Sequence, residues 1–286
     1  MRNSVRFDPF AEHTRLVDEV ASAGASPPGE WMKLRKRFRA FLDMGGRAPM
    51  QHRLVDAVVT GSDADIVALR AAAHAEQLEQ PKVVAAVRDA ILQRMQEVYR
   101  PVATEQYGKV VDVFDSAANK FTAAAQVINP ETPAAEMVGA SDELRRNWLD
   151  ADILARQLTT LIGPLHAAAR LTGTVPESAG RDGGGKDAVL LPLVCDPGEL
   201  HRRRVWEAWE AKGRCGRWSA LVAHGVRLRG WPADQLEAFG PYRPAKPLEE
   251  RYEPVALGIS ERHLVDPEDP SYQEPEPVKP RRALAR

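Results

Sequence analysis

At 286 residues the chain is long enough for one large or two small domains with cores of their own. Its 39 basic residues against 40 acidic ones leave a formal net charge of −1, which excludes a global electrostatic pull toward nucleic acid or an anionic membrane. Cys195 and Cys215 are the only cysteines, no apolar run reaches the roughly 18 residues that would cross a bilayer, and Met1–Val5 lead into no signal-like segment, so the expectation is a reduced, cytoplasmic protein without a disulfide.

The first ~80 residues read as short helices. Phe10, Leu16, Val17 and Val20 form one apolar face that ends at Gly24 and Ser26-Pro27-Pro28-Gly29. Glu30 to Met44 carries Trp31, Leu34, Phe38 and Leu42 at helical steps, with Gly45-Gly46 as its stop, and Lys33, Arg35, Lys36, Arg37 and Arg39 cover its polar side. That basic face is a candidate contact for phosphates or an acidic partner by charge neutralisation; the plain alternative is a solvated face with exposed ion pairs of little value. Pro49 to Val59 forms another helix, and Ser62 is placed to cap the next, which carries Ile66, Leu69 and Ala73.

Residues 82–173 are predicted to form a long antiparallel helical hairpin. Val84, Val87, Ile91, Met95, Val98 and Val102, then Val110, Val113, Ala117, Phe121, Ala124 and Ile128, recur at the period of a straight amphipathic helix, a span of roughly 65 Å if unbroken. Pro101 should kink or break it. Asn129-Pro130-Glu131-Thr132-Pro133 makes the turn, and Ser141, Asp142 and Glu143 open the returning helix, where negative charge favours the helix N-terminus. Its apolar face is wide, and Trp148, Leu154, Leu158, Leu161, Ile162 and Leu165 are the candidate oligomer interface.

After Gly173 the composition changes. Residues 174–187 contain Gly180-Arg181-Asp182-Gly183-Gly184-Gly185-Lys186-Asp187, which has the glycine–lysine spacing of a phosphate loop but Asp187 where Ser or Thr would hold magnesium. With a helix before it and the strand-like Ala188–Val194 after it, the stretch reads as a flexible linker. Residues 188–240 read as a small basic helical unit, in which Arg202, Arg203, Arg204, Lys212, Arg214, Arg217, Arg227 and Arg229 interleave with Trp206, Trp209, Trp218 and Trp231. Such a set can stack on bases and grip phosphates, or form an aromatic core rimmed by guanidinium groups. Cys195, His201, Cys215 and His224 lack the close ligand pairs of a structural zinc site, so no metal or cofactor is assigned. Residues 241–286 are proline-rich, with acidic residues between Glu249 and Glu276; they cannot fold alone and are expected to be disordered or to wrap the chain itself or a neighbour.

No nucleophile elbow, zinc-protease, dinucleotide or kinase pattern occurs. Asp63 with Asp65 and Asp150 with Asp152 would lie on different helix faces, and His74 and His166 sit among alanines as structural histidines do. The expectation is a mainly α, non-enzymatic interaction or assembly protein: residues 1–173 (helices and hairpin), the 174–187 linker, the 188–240 unit and the tail. Self-association or a larger assembly supplies the partner. The alternative is a nucleic-acid-binding protein using residues 33–39 and 202–231. Arginine far outnumbers lysine and Ala and Val are frequent, as in GC-rich genomes; this texture resembles uncharacterised proteins of actinobacterial phages and prophages, a resemblance that no motif carries and that implies a virion-assembly setting without assigning any residue a role.

Overall fold

A computed structural model describes residues 8–44, 50–60, 65–78, 81–256, 259–269 and 271. The protein is mainly helical. The chain forms two compact units, each assembled from separate stretches: Met1–Phe114, Thr160–Pro176 and Trp231–Phe239 in the first, Asp115–Thr159, Glu177–Gly230 and Gly240–Arg286 in the second.

In the first unit, α1 (Pro9–Ser22) starts at Asp8, whose carboxylate accepts from the N–H groups of Phe10 and Ala11, with proline at the first turn where its missing donor costs nothing. Next comes α2 (Gly29–Met44). The stop expected at Gly45-Gly46 lies outside the described residues, as does the Ser62 cap. The helices α3 (Met50–Thr60) and α4 (Ile66–Leu78) pack on each other. α5 (Pro81–Tyr99) receives α1 and α2. Val17, Trp31, Leu34, Met95, Tyr99 and Ala103 form that core, with Phe10, Ile91, Val98 and Leu171 against it.

Pro101 does interrupt the long run. Arg100–Val102 form one 3-10 turn, after which α6 (Ala103–Val127) begins. Residues 129–133 make the turn as expected, closed by Thr132 N–H to the Asn129 carbonyl at 3.1 Å. The returning helix, α7 (Asp142–Leu171), runs through Pro164 without ending.

The second unit contains the largest departure from the sequence reading. Residues 188–194 are helix rather than strand: α8 (Asp187–Val194) is buried along its whole length apart from Asp187. A short apolar run cannot be assigned by periodicity when every face is buried. The glycines before it make a closed loop instead of slack chain, with Ala179 N–H donating to the Gly185 carbonyl at 2.9 Å and Gly185 N–H to that of Gly180 at 2.7 Å. Gly180, Gly184 and Gly185 have positive φ, which these turns require.

The strand β1 (Cys195–Asp196) pairs antiparallel with β2 (Arg227–Leu228), which comes after α9 (Arg202–Glu210) and α10 (Arg217–Ala223). Trp209 and Trp218 meet edge to face at 6.4 Å in the core of this unit. Ala233–Ala238, in the first unit, is 3-10 helix. Within the tail, β3 (Glu249–Ala256) and β4 (Ile259–Val265) pair antiparallel; residues 272–286 are outside the described set.

Candidate functional site

The candidate basic residues fall into two physically different groups. On α2, Lys33, Lys36, Arg37 and Arg39 are exposed. Arg35 of this face is tied down, by a paired contact to Asp18 at 2.6 and 2.8 Å, with its guanidinium 5.5 Å from the Trp31 ring centre.

The arginines of 202–229 are mostly built into the second unit. Arg202 pairs with Glu268 at 2.9 Å, Arg203 with Asp266 at 2.7 Å and with the Lys246 carbonyl, and Arg204 with Asp269 at 3.0 Å. Asp266 and Asp269 are almost fully buried. Burial works against the charge of Asp266, but the Glu268 N–H and the Arg203 guanidinium outweigh it and lower its pKa. This part of the acidic tail therefore wraps its own chain. Arg229 pairs with Asp196 at 2.8 Å, the guanidinium of Arg217 lies 4.1 Å from the ring centre of Trp209, and Arg227 is exposed.

Arg214 belongs to a knot the sequence did not announce. The Glu131 carboxylate, from the turn before α7, accepts the N–H groups of Arg214 (2.8 Å), Cys215 (2.8 Å) and Gly216 (3.1 Å) and the Ser219 hydroxyl (2.6 Å). Burial raises the pKa of this carboxyl, yet Ser219 and the three amides bring the balance below the usual carboxylate range. A Cβ at Gly213 would stand 2.4 Å from the Glu131 Oε2, so only glycine leaves room for the carboxylate. The Arg214 guanidinium reaches the Pro130 carbonyl at 3.1 Å and covers the Trp148 ring at 3.5 Å, while the Trp148 indole donates to the Thr132 carbonyl at 2.9 Å. Three oriented amides make an anion cradle. Here the chain's own glutamate fills it.

The expected oligomer face on α7 is largely interior. Leu158, Leu161 and Leu165 are buried by their own chain, Leu154 and Ile162 are half-buried, and Trp148 lies under Arg214. A stripe that broad is consumed in packing, and the aliphatic side chains that α7 leaves exposed are Leu149 and Ile153. Among the described residues, α3 and α4 expose five aliphatic side chains, Val55, Val58, Val59, Ile66 and Val67, with Val59 and Val67 nearly four-fifths exposed.

The first unit also holds a cleft of 420 Å³ lined by residues of α1, α5, the 3-10 turn and α7, including His13, Tyr99, Arg100 and Arg170. Trp31 Nε1–H donates to His13 Nε2 at 3.2 Å, and burial pulls the His13 pKa down to about 4, so the ring is neutral. Glu12 is held by Arg15 (2.8 Å) and Arg170 (2.7 Å), chiefly by Arg15, which takes its pKa down to about 2. The Tyr99 hydroxyl is buried without a hydrogen-bond partner, and burial raises its pKa to about 12.

Both cysteines are buried free thiols whose pKa burial raises, to about 12 at Cys195 and about 11 at Cys215, so neither is a thiolate near neutrality. Among the described residues no three His, Cys, Asp or Glu side chains are grouped to hold a metal. The 180–187 loop does precede a helix, contrary to the sequence reading, but several of its N–H groups are spent on its own carbonyls instead of being left for phosphate oxygens. His166 hydrogen-bonds the Pro176 carbonyl at 3.3 Å; Asp63 lies outside the described residues, as does the side chain of His74. Among the described residues no helix is long and apolar enough to cross a membrane. No protein-family model, curated protein or solved structure matches the chain.

Proposed function

We propose that this chain is a non-enzymatic interaction protein that associates with a second copy of itself through the α3–α4 hairpin. The supporting observation is the exposed cluster of Val55, Val58, Val59, Ile66 and Val67. Positions 55, 58 and 59 share one face of α3, and α4, which begins with Ile66 and Val67, packs on that helix. Exposed aliphatic side chains grouped on neighbouring helices are the kind of surface that marks an association site, and isolated apolar residues are not. The formal charges of the two helices, Arg53 and Asp56 on α3 and Arg70 and Glu76 on α4, balance, which suits a copy of the same surface better than a charged partner. A C2 contact is the simplest closed way for one patch to satisfy itself. A virion or prophage particle is one setting for such a unit.

Sedimentation velocity over a concentration series tests this reading. The expected result is a concentration-dependent dimer for the wild type, abolished in the Val59→Lys/Val67→Lys variant with the circular dichroism spectrum unchanged. A wild-type monomer at every concentration overturns it. The second reading, nucleic-acid binding, is favoured by one specific observation: Lys33, Lys36, Arg37 and Arg39 form an exposed basic helical face.

A further inference from the structure

We propose that residues 240–248 form a polyproline II strap that offers two of its three faces to a partner protein with an aromatic groove and an acidic rim. This goes beyond the association role and uses none of its residues. Pro241, Pro244 and Pro247 recur every third residue. Each fixes its own φ at about −65° and pushes the residue before it, Gly240, Arg243 or Lys246, toward extended backbone. The segment is neither helix nor strand, and its exposure follows the period of three that a polyproline II helix has. Tyr242, Ala245 and Leu248 are half-buried, whereas Gly240, Arg243 and Lys246 in one column and Pro241, Pro244 and Pro247 in the next are exposed.

The half-buried column is the one that the second unit's own helices hold. Tyr242 N–H donates to the Ala188 carbonyl of α8 at 2.7 Å, and its ring centre lies 6.1 Å from that of Trp206 on α9. The carbonyls of Arg243 and Lys246, again three apart, accept from the Trp206 indole at 2.9 Å and from the Arg203 guanidinium. These bonds keep the strap extended, so a partner does not have to order it, and a preorganised ligand binds at a lower entropic cost. Grooves that recognise proline segments are lined by aromatic rings. A three-sided helix lays two columns on such a groove and points the third away, and here the third is already engaged. The strap carries two cations, Arg243 and Lys246, and no acid, and Lys246 closes the run Pro241-x-x-Pro244-x-Lys246. The Lys246 ammonium stands 4.0 Å from Glu268 and is otherwise open to solvent. Acids on the rim of the groove complement this charge.

Calorimetric titration of the full chain with a purified SH3 domain whose groove has an acidic rim, and with the same domain after those acids are made neutral amides, tests the proposal. The acidic domain should bind at micromolar concentration and its neutral form at least about tenfold more weakly. The Pro241→Ala/Pro244→Ala variant should lose at least about tenfold in affinity, since it removes both the contact rings and the preset backbone. Its circular dichroism and melting temperature should stay those of the wild type, because both rings are exposed. Lys246→Gln should weaken binding severalfold with the fold intact. Failure of the acidic domain to bind, equal binding of its neutral form, or an affinity indifferent to either substitution overturns the proposal and leaves the strap as a cover for α8 and α9.

Discussion

The two basic clusters of this protein, Lys33 to Arg39 and Arg202 to Arg229, meet opposite fates. On α2 Trp31, Leu34 and Phe38 are buried on one face, while Lys33, Lys36, Arg37 and Arg39 stay in solvent. In the 202–229 segment the guanidinium groups meet Asp266, Glu268, Asp269 and Asp196, carbonyls and tryptophan rings. Arginine's planar fork suits this use, since it can pair, stack and donate to carbonyls together. Charge density in a sequence is therefore a poor guide to charge available for binding; the deciding quantity is how many acceptors the fold brings to each cation.

The contrast can be broken experimentally at several depths. The largest effect belongs to the core that the α7 stripe builds: Leu158→Ala should cost about 3 kcal/mol in urea unfolding, as fully buried leucines do, and should not act as an interface variant that leaves stability intact. Nearly as large is the acid response of the first unit. The His13 pKa is depressed from 6.5 to about 4 in the folded state, so the unfolded chain binds the proton first, and stability is complete above pH 6.5 and falls as pH drops toward 4. The loss should approach about 3 kcal/mol and be absent in His13→Gln, measured by unfolding across that pH window. Glu12, with its folded pKa near 2, extends the loss over the lower window between 4.5 and 2.

In the second unit, Glu131→Ala leaves three amides without their acceptor, while the Ser219 hydroxyl keeps the Gly216 carbonyl at 2.8 Å, and should cost about 2 kcal/mol. The smallest effect is expected where the charges are free of such duties. Changing Lys33, Lys36, Arg37 and Arg39 together to glutamine should alter stability by no more than about 0.5 kcal/mol. A large loss there would show that the two clusters are alike after all.

Local features were legible in the sequence and distant ones were not. Pro101 and the 129–133 turn could be placed because proline acts on its own neighbourhood, and α2 because its apolar steps are regular. The 188–194 helix was lost to its uniform burial. The Glu131 knot joins positions more than 80 residues apart, and the Arg202–Arg204 clasp joins positions more than 60 apart, so no spacing rule could find either. The same holds for the cleft, where His13, Tyr99 and Arg170 meet only because three helices end together. The wide stripe on α7 was visible, but exposed and buried stripes have the same period, and Leu158 and Leu165 turned out to be core.

The proposed association rests on an apolar helical surface and not on positive charge. Light scattering after size exclusion, at low and high salt, with and without a mixed-sequence DNA fragment and on protein stripped of copurifying nucleic acid, tests it most directly. The account predicts a dimer that survives high salt and ignores the DNA. A monomer that binds the fragment only at low salt would contradict it and make Lys33, Lys36, Arg37 and Arg39 the working surface.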